Sequence, residues 1–278
     1  MKQILNIMLL CMAILVVSCE GNNPSTEDSN RVFSVSESQK VVFSQGNLQY
    51  HLTEKKWQFA KNQLDKIGRD NVYDNLSQNK VAWIDLFGWS GSTGAAKFGV
   101  GISDKDEDYS GDFVDWGINK IGNDVPNTWR TLTSKEWGYL FSKRPNAQNL
   151  FAYATINGMK GVILLPDNWS TPNGLTFIPS TTKDLFWVEE WQCYDTDNAN
   201  CFYHNTYTLD QWGKMEQAGA IFFPTRDDWD DAGFWSSTPE GERSAYLFYY
   251  NREALYPELD FDVNSRSNMF YVRLVKDL

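Results

Sequence analysis

Two histidines in 278 residues leave little room for imidazole chemistry. His51 and His204 stand far apart among polar neighbours, without the helical spacing of a zinc protease and without a serine elbow. Nucleophilic catalysis with a histidine base therefore has no support. Bases are scarce as well: 25 Lys and Arg face 36 Asp and Glu, for a net charge of −11. A nucleic-acid binder needs a basic face to neutralise phosphates, so nucleic acid is excluded as a partner. Cysteine is limited to Cys11, Cys19, Cys193 and Cys201. Long apolar runs are missing except for Ile7 to Val17, too short to cross the ~30 Å hydrocarbon layer of a bilayer. What the chain has in excess is aromatic residues, twelve of them Trp, in a composition only 22% charged. That composition belongs to a folded protein and suggests a core of large rings beneath long polar loops.

The single apolar run has the length of a signal-peptide core and follows one cation, Lys2. It ends in Val16-Val17-Ser18-Cys19, which resembles the bacterial lipobox, in which the cysteine is diacylated and becomes the new N-terminus. The alternative is an ordinary signal peptide with an incidental cysteine. Residues 1–18 are expected to be removed, residues 19–31 to form a polar tether, and residues 32–278 to form one domain. Loss of Lys2 takes the formal charge from −11 to −12. Glu20 is not the Asp usually linked to inner-membrane retention, so the expected address is the outer membrane, lipid-anchored. The cell surface is favoured and the periplasmic face is the alternative.

Within the domain, Val41 to Tyr50 and Lys56 to Ala60 read as strands. Thr133-Ser-Lys-Glu136 and Thr208-Leu-Asp-Gln211 have capping-box spacing ahead of the apolar stripes Trp137/Leu140/Phe141 and Trp212/Met215, which predicts two helices. A phrase recurs: Gly161-Val-Ile-Leu-Leu-Pro166 and Gly219-Ala-Ile-Phe-Phe-Pro224, four apolar residues between Gly and Pro, each read as a short buried strand. Asn157-Gly158 before the first is a hairpin signal. Residues 234–238, 245–250 and 269–275 alternate as three strands of one antiparallel sheet. The fold class is α+β, with two helices packed on antiparallel sheet and long loops.

These phrases, together with Trp129-Arg-Thr-Leu-Thr-Ser-Lys-Glu-Trp137, Phe234-Trp-Ser-Ser-Thr238 and Tyr271-Val-Arg-Leu-Val-Lys276, resemble the Fibrobacter-type major paralogous domain. The resemblance covers roughly residues 32–277. It implies a C-type-lectin-like fold, shared with the sulfatase-modifying (formylglycine-generating) enzymes, in a secreted or lipid-anchored protein. In such a fold Arg273 is expected to be buried, pairing with an acid such as Glu136. The enzyme branch uses cysteines near the end of the domain, and the C-terminal strands here have none. The sugar-binding triplets of calcium-dependent lectins are also missing, since Val125-Pro-Asn127 and Thr171-Pro-Asn173 lack the leading acid or amide.

Three groups of residues carry what chemistry there is. Cys193 and Cys201 would close a loop by a disulfide, with a redox or metal pair or free thiols as alternatives. Asp104, Asp106, Asp108, Asp112 and Asp115 fall at positions 1, 3, 5, 9 and 12 of a calcium loop, but Tyr109 replaces the turn glycine and position 12 is not Glu. No cofactor is expected, with calcium there as the alternative to a solvated acidic loop. Asp227, Asp228, Asp230 and Asp231 around Trp229 could accept sugar hydroxyls while an exposed ring stacks on the sugar, and Trp187 and Trp191 are further candidates. Ligand contacts are placed in loops 90–128 and 180–206. The function expected is a non-catalytic binding or adhesion module for a glycan or protein. A formylglycine-type enzyme and a subunit of a surface polymer are the alternatives.

Overall fold

Short apolar runs broken by turn residues make short strands, and the described residues hold fourteen of them with three α-helices. The computed structural model describes residues 30–180, 202–226, 231–250, 255–256 and 263–278. In chain order the elements begin with β1 (Phe33–Ser34), β2 (Lys40–Phe43), β3 (Leu48–His51), β4 (Lys56–Phe59), α1 (Arg69–Ser77) and β5 (Trp83–Ile84). After a long loop come α2 (Ser134–Gly138), β6 (Phe151–Ile156), β7 (Met159–Leu164), β8 (Thr206–Tyr207), α3 (Leu209–Gln217) and β9 (Ile221–Pro224). The chain closes with β10 (Ala232–Glu240), β11 (Ser244–Tyr250), β12 (Leu255–Tyr256), β13 (Val263–Ser265) and β14 (Val275–Asp277). The result is a mixed α+β chain of several small sheets: β1-β2-β14, β4-β3-β5, β8-β6-β7-β9, and β10-β11-β12 with β13 added on β11.

The third of these sheets organises the rest. Asn157 and Gly158 both take positive φ, 49° and 84°, the backbone a tight two-residue hairpin requires between β6 and β7. The two recurring phrases turn out to be neighbours: β7 pairs antiparallel with β9, with Gly161 opposite Pro224 and Leu164 opposite Ile221. A Cβ on Gly161 would sit 2.4 Å from the Phe223 carbonyl oxygen, so the glycine is required for this approach. Alternation then sorts the side chains. Tyr153, Val162, Leu164, Ile221 and Phe223 join the larger core cluster with Trp137 and Phe248. Ala154, Ile156, Ile163, Leu165 and Phe222 face the other way, against Trp212 and Met215 of α3.

Both expected helices form, each with a complete capping box: Thr133 with Glu136, Thr208 with Gln211. The first continues into a π-helical turn, Tyr139–Lys143. Replacing Thr208 by Ala removes the acceptor for the Gln211 N–H and is expected to cost ~1 kcal/mol. A thermal melt should show this as a drop of a few degrees that Thr208→Ser does not share. Helix α1 carries no side-chain cap and follows Gly68 at φ 87°, so no start signal announces it.

Three expectations are corrected. The run Val41 to Tyr50 is two strands in two sheets, because Gly46 brings the chain against Ala60 and Ser44 Oγ donates to the Gly46 carbonyl at 3.0 Å. Residues 269–275 are not the third strand of one antiparallel sheet. Phe270 bridges Phe87 antiparallel, Tyr271 bridges Phe234 in parallel, and the chain then enters β14 against β2. Every residue from Met269 to Val275 is buried, so its backbone groups are divided among the elements on either side.

Arg273 is fully buried as expected, but its partner is not Glu136. That carboxylate is taken by its own capping box and by Arg130, 2.7 Å away, which also holds Asp277. Arg273 donates instead to the carbonyls of Ser44 (3.3 Å) and Phe222 (2.6 Å). Gln63 accepts the Phe222 N–H at 2.6 Å and donates to the Ala220 carbonyl at 3.1 Å. The outer edge of β9 is thereby sealed by side chains. Arg273→Met strips two buried carbonyls of their donor while relieving a buried charge, so a net loss of ~2 kcal/mol is expected in denaturant unfolding. Unchanged stability would show that the edge needs no such seal.

Candidate functional site

Buried contacts fix the chain at three places, the first along β6 and the other two where β9 ends and the β10–β11 hairpin opens. At the first, the Ser180 N–H donates to the Phe151 carbonyl (3.1 Å) and Ser180 Oγ accepts the Tyr153 N–H (3.1 Å). The chain is fixed again at Phe202, whose carbonyl accepts Thr155 Oγ at 2.8 Å and whose ring stands edge-on to Tyr153 at 4.8 Å. Asn205 works as a buckle. Its Nδ2 donates to the carbonyls of Tyr153 (3.1 Å) and Ile178 (2.8 Å), and its Oδ1 accepts the Ile178 N–H (2.9 Å). One buried side-chain amide thus replaces a strand partner. Trp187, Trp191, Cys193 and Cys201, which follow Ser180 and precede Phe202, lie outside the described residues.

The second root is an ion pair. Arg226 donates its backbone N–H to the Asp231 carbonyl (2.6 Å) and its Nη2 to Asp231 Oδ2 (2.9 Å), with both side chains 12% exposed. Tyr249 donates its hydroxyl to the same Oδ2 at 2.9 Å. The guanidinium also reaches the Met269 carbonyl (3.0 Å) and lies 4.7 Å over the Phe270 ring. Asp227, Asp228, Trp229 and Asp230, between these two residues, lie outside the described residues. Beside this clasp, Thr225 donates its N–H to the Lys160 carbonyl and accepts from Lys66 Nζ at 3.3 Å.

Tyr250 is the third root, paired with Ala232 and donating its hydroxyl to the Phe223 carbonyl at 2.6 Å. Its ring contacts Tyr153, which also touches Phe202, so the first and third roots share one aromatic contact. Lys66, which reaches the Thr225 carbonyl, also acts on the buried Asp85. Its Oδ2 accepts the Ile67 N–H at 2.8 Å while Oδ1 is buried without a partner. Burial pushes this carboxyl up to about 7, against the pull of its backbone hydrogen bonds and of Lys66.

The other expected contact loop, 90–128, is held elsewhere. Arg266 is buried with its guanidinium 4.1 Å over Trp89, and donates to the carbonyls of Gly111 (3.0 Å), Gly241 (2.9 Å) and Ser244 (3.1 Å). It ties the loop to the Gly241 turn, the far end of the β10–β11 hairpin from Asp231. The five aspartates in this loop do not converge. Asp115 accepts the Gly117 N–H (2.8 Å) and the Thr131 N–H (2.9 Å). Asp106 accepts from Ser265 and from the Ser267 N–H. Burial works against the Asp106 charge, but the Ser265 and Ser267 hydrogen bonds outweigh it and hold the carboxyl below its usual range. Asp104 and Asp112 are exposed on the loop surface. Tyr109, at the position where a calcium loop turns on glycine, is instead buried against Gly88. Among the described residues no group of three His, Cys, Asp or Glu is placed to hold a metal ion.

His51 is buried, its Nδ1 accepting the Glu54 N–H at 3.1 Å and its ring edge-on to Trp83, while His204 is exposed near Phe202. Arg226 and Asn205 were not singled out in the sequence; Asp231 belongs there to the acids around Trp229, and it is held by Arg226 and Tyr249. Arg226 could have been found, because opposite charges bracket the Asp-Asp-Trp-Asp run; Asn205 has no comparable signal. No helix among the described residues is long and apolar enough to cross a membrane. No family model, no curated protein and no solved structure matches this chain.

Proposed function

We propose that this chain is a lipid-anchored envelope protein, held in the outer membrane through Cys19, that acts as a non-catalytic binding or adhesion module on a C-type-lectin-like scaffold. Its ligand is a glycan or a protein, contacted by the segments rooted at Ser180/Phe202, Arg226/Asp231 and Tyr250. One observation carries this reading: buried side chains fix the residues that border segments rich in acids, two of which also carry Trp. A scaffold of that kind lets loop residues serve recognition without disturbing the fold. Residues 181–201, 227–230 and 251–262 contain five, three and four acids against one, no and one base, a net −10 of the −12 on residues 19–278. Such a field repels polyanions, which favours neutral glycans or proteins. The sealed outer edge of β9 counts against growth into a polymer by strand addition there.

The test is an array of glycans and extracellular proteins probed with residues 20–278, beside Trp187→Ala and Trp229→Ala. Binding that both variants lose while their melting is unchanged supports the reading. Turnover of an arrayed peptide or glycan, or binding that neither variant weakens, overturns it. Palmitate labelling that disappears in Cys19→Ala tests the anchor separately.

A further inference from the structure

Asn-Gly occurs twice in the chain, at Asn157-Gly158 and Asn173-Gly174, and all four residues are exposed. This dipeptide can react with itself. The peptide nitrogen of the glycine can attack the side-chain amide carbon of the asparagine, because no Cβ shields the approach. A carbon–nitrogen bond forms, the bond to the side-chain nitrogen breaks, and ammonia leaves with the proton of the peptide nitrogen. Water then opens the cyclic imide at either carbonyl, giving aspartate or isoaspartate. One water is consumed and one ammonia released, with no oxidant or cofactor. The attack requires the peptide after the asparagine to swing toward its side chain, so the hold of the fold on that peptide decides the rate.

The two sites differ in that hold. Asn157 and Gly158 take φ 49° and 84° in a two-residue hairpin loop, closed by Ile156 opposite Met159 as the last of six pairs joining β6 to β7. The Asn157 N–H donates to the Tyr207 carbonyl at 2.9 Å, and β7 is itself flanked by β9. Swinging this peptide would open the head of the central sheet. Asn173 has no such neighbours. Residues 165–180 contain no strand or helix, and the turn is closed by one hydrogen bond, from the Leu175 N–H to the Pro172 carbonyl at 3.1 Å, with Gly174 at φ 80°. The chain on either side is pinned: Trp169 Nε1 donates to Thr171 Oγ1 at 3.1 Å, Leu175 and Phe177 pack on the cluster around Trp212 and Met215, and the Thr176 carbonyl accepts the Tyr207 hydroxyl at 2.6 Å. The turn can therefore rotate while the loop keeps its place. We infer that Asn173 is a self-modifying site, converted by water to aspartate and isoaspartate in the folded protein, whereas the sheet keeps the identical dipeptide at Asn157 intact. The product adds one negative charge and, as isoaspartate, one main-chain carbon, both confined to an exposed turn. The assignment depends on neither the ligand nor the anchor.

The test is to hold the purified protein in mildly alkaline buffer for days, folded or in concentrated urea, and to follow both Asn-Gly peptides by mass spectrometry after digestion. Conversion makes a peptide one mass unit heavier, and labelling by an isoaspartyl methyltransferase identifies the isoaspartate. In the folded protein the Asn173 peptide should convert at least about tenfold faster than the Asn157 peptide, because opening the hairpin costs free energy that turning an isolated loop does not. In urea the two should convert at similar rates, which shows that the fold and not the neighbouring residues sets the difference. Asn173→Gln should remove most of the label from the folded protein without changing its melting temperature. Equal rates in the folded protein, faster conversion at Asn157, or an Asn173 peptide that stays intact while the unfolded chain converts would each overturn the assignment. So would label that persists undiminished in Asn173→Gln, because its source would then lie elsewhere in the chain.

Discussion

Trp137→Ala is expected to cost about 4 kcal/mol and to lower the melting temperature by roughly 10 °C. The indole is fully buried and is the point at which α2 meets three sheets. It stacks on Phe248 of β11 at 5.1 Å and 26°, lies 5.9 Å from Phe43 of β2, and stands 69° to Phe223 of β9 at 5.7 Å. Truncation would leave a void walled by three rings, themselves fixed by further contacts such as Phe223 with Phe234 and Phe141 with Phe248. Rings held on several sides cannot collapse into the gap, and such sites lie at the costly end of large-to-small substitutions.

The same indole offers an internal control. Its Nε1 is buried without a partner, whereas Trp89, Trp116 and Trp235 donate theirs to the carbonyls of Ser236, Phe98 and Phe87. Trp137→Phe therefore loses area but no hydrogen bond, and should retain more than half of the stability that Ala forfeits. Urea unfolding of the three proteins separates the outcomes. A cost below ~1 kcal/mol for Ala, or Phe as damaging as Ala, would mean the cluster is not the keystone it looks like from its packing.

Where sequence and structure agree, a local rule determined the outcome. The capping boxes at Thr133 and Thr208 and the Asn157-Gly158 turn each depend on residues within four positions of one another, so they could be read directly. The paired Gly–Pro phrases were legible as buried strands but not as partners, because register between segments 58 residues apart is set by packing on both faces. Arg273 was legible as buried because a cation in the apolar run Tyr271 to Val275 has nowhere else to go. Its partners were not, since they are backbone carbonyls in β9 and before Gly46, which carry no side-chain signature. The calcium-like spacing misled for a related reason. A one-dimensional template cannot show that Asp106 turns toward Ser265 or that Asp115 turns toward Thr131, each supplied by a distant segment or a later turn. Of the candidate site, the residues expected to touch ligand were named from composition, while the roots that hold them were found only once the strands were in register.

Asp85→Asn is expected to flatten the pH dependence of stability and to leave the variant the more stable protein above neutrality, relative to its standing in acid. Asp85 is fully buried, Oδ2 accepts the Ile67 N–H at 2.8 Å, and Oδ1 has no donor. The nearest cation, Lys66, spends its ammonium on the Thr225 carbonyl. Burial therefore dominates and raises the carboxyl from 3.8 to about 7. Below the unfolded value the folded and unfolded chains are both protonated and the site costs nothing. Between about 4 and 7 the unfolded chain releases its proton while the folded chain keeps it, so stability falls by ~1.4 kcal/mol per pH unit. Above 7 the loss levels off at about 4 kcal/mol. Asparagine keeps an acceptor for the Ile67 N–H and cannot ionise, so its profile lacks this slope. Its own unpaired amide shifts the whole curve by a constant, which cancels when each protein is compared with itself. Denaturant midpoints at pH 4.5 and pH 8 give the result. The wild-type chain should lose stability between them by several kcal/mol more than the variant, and parallel curves would show that Asp85 ionises in the folded chain as readily as in water.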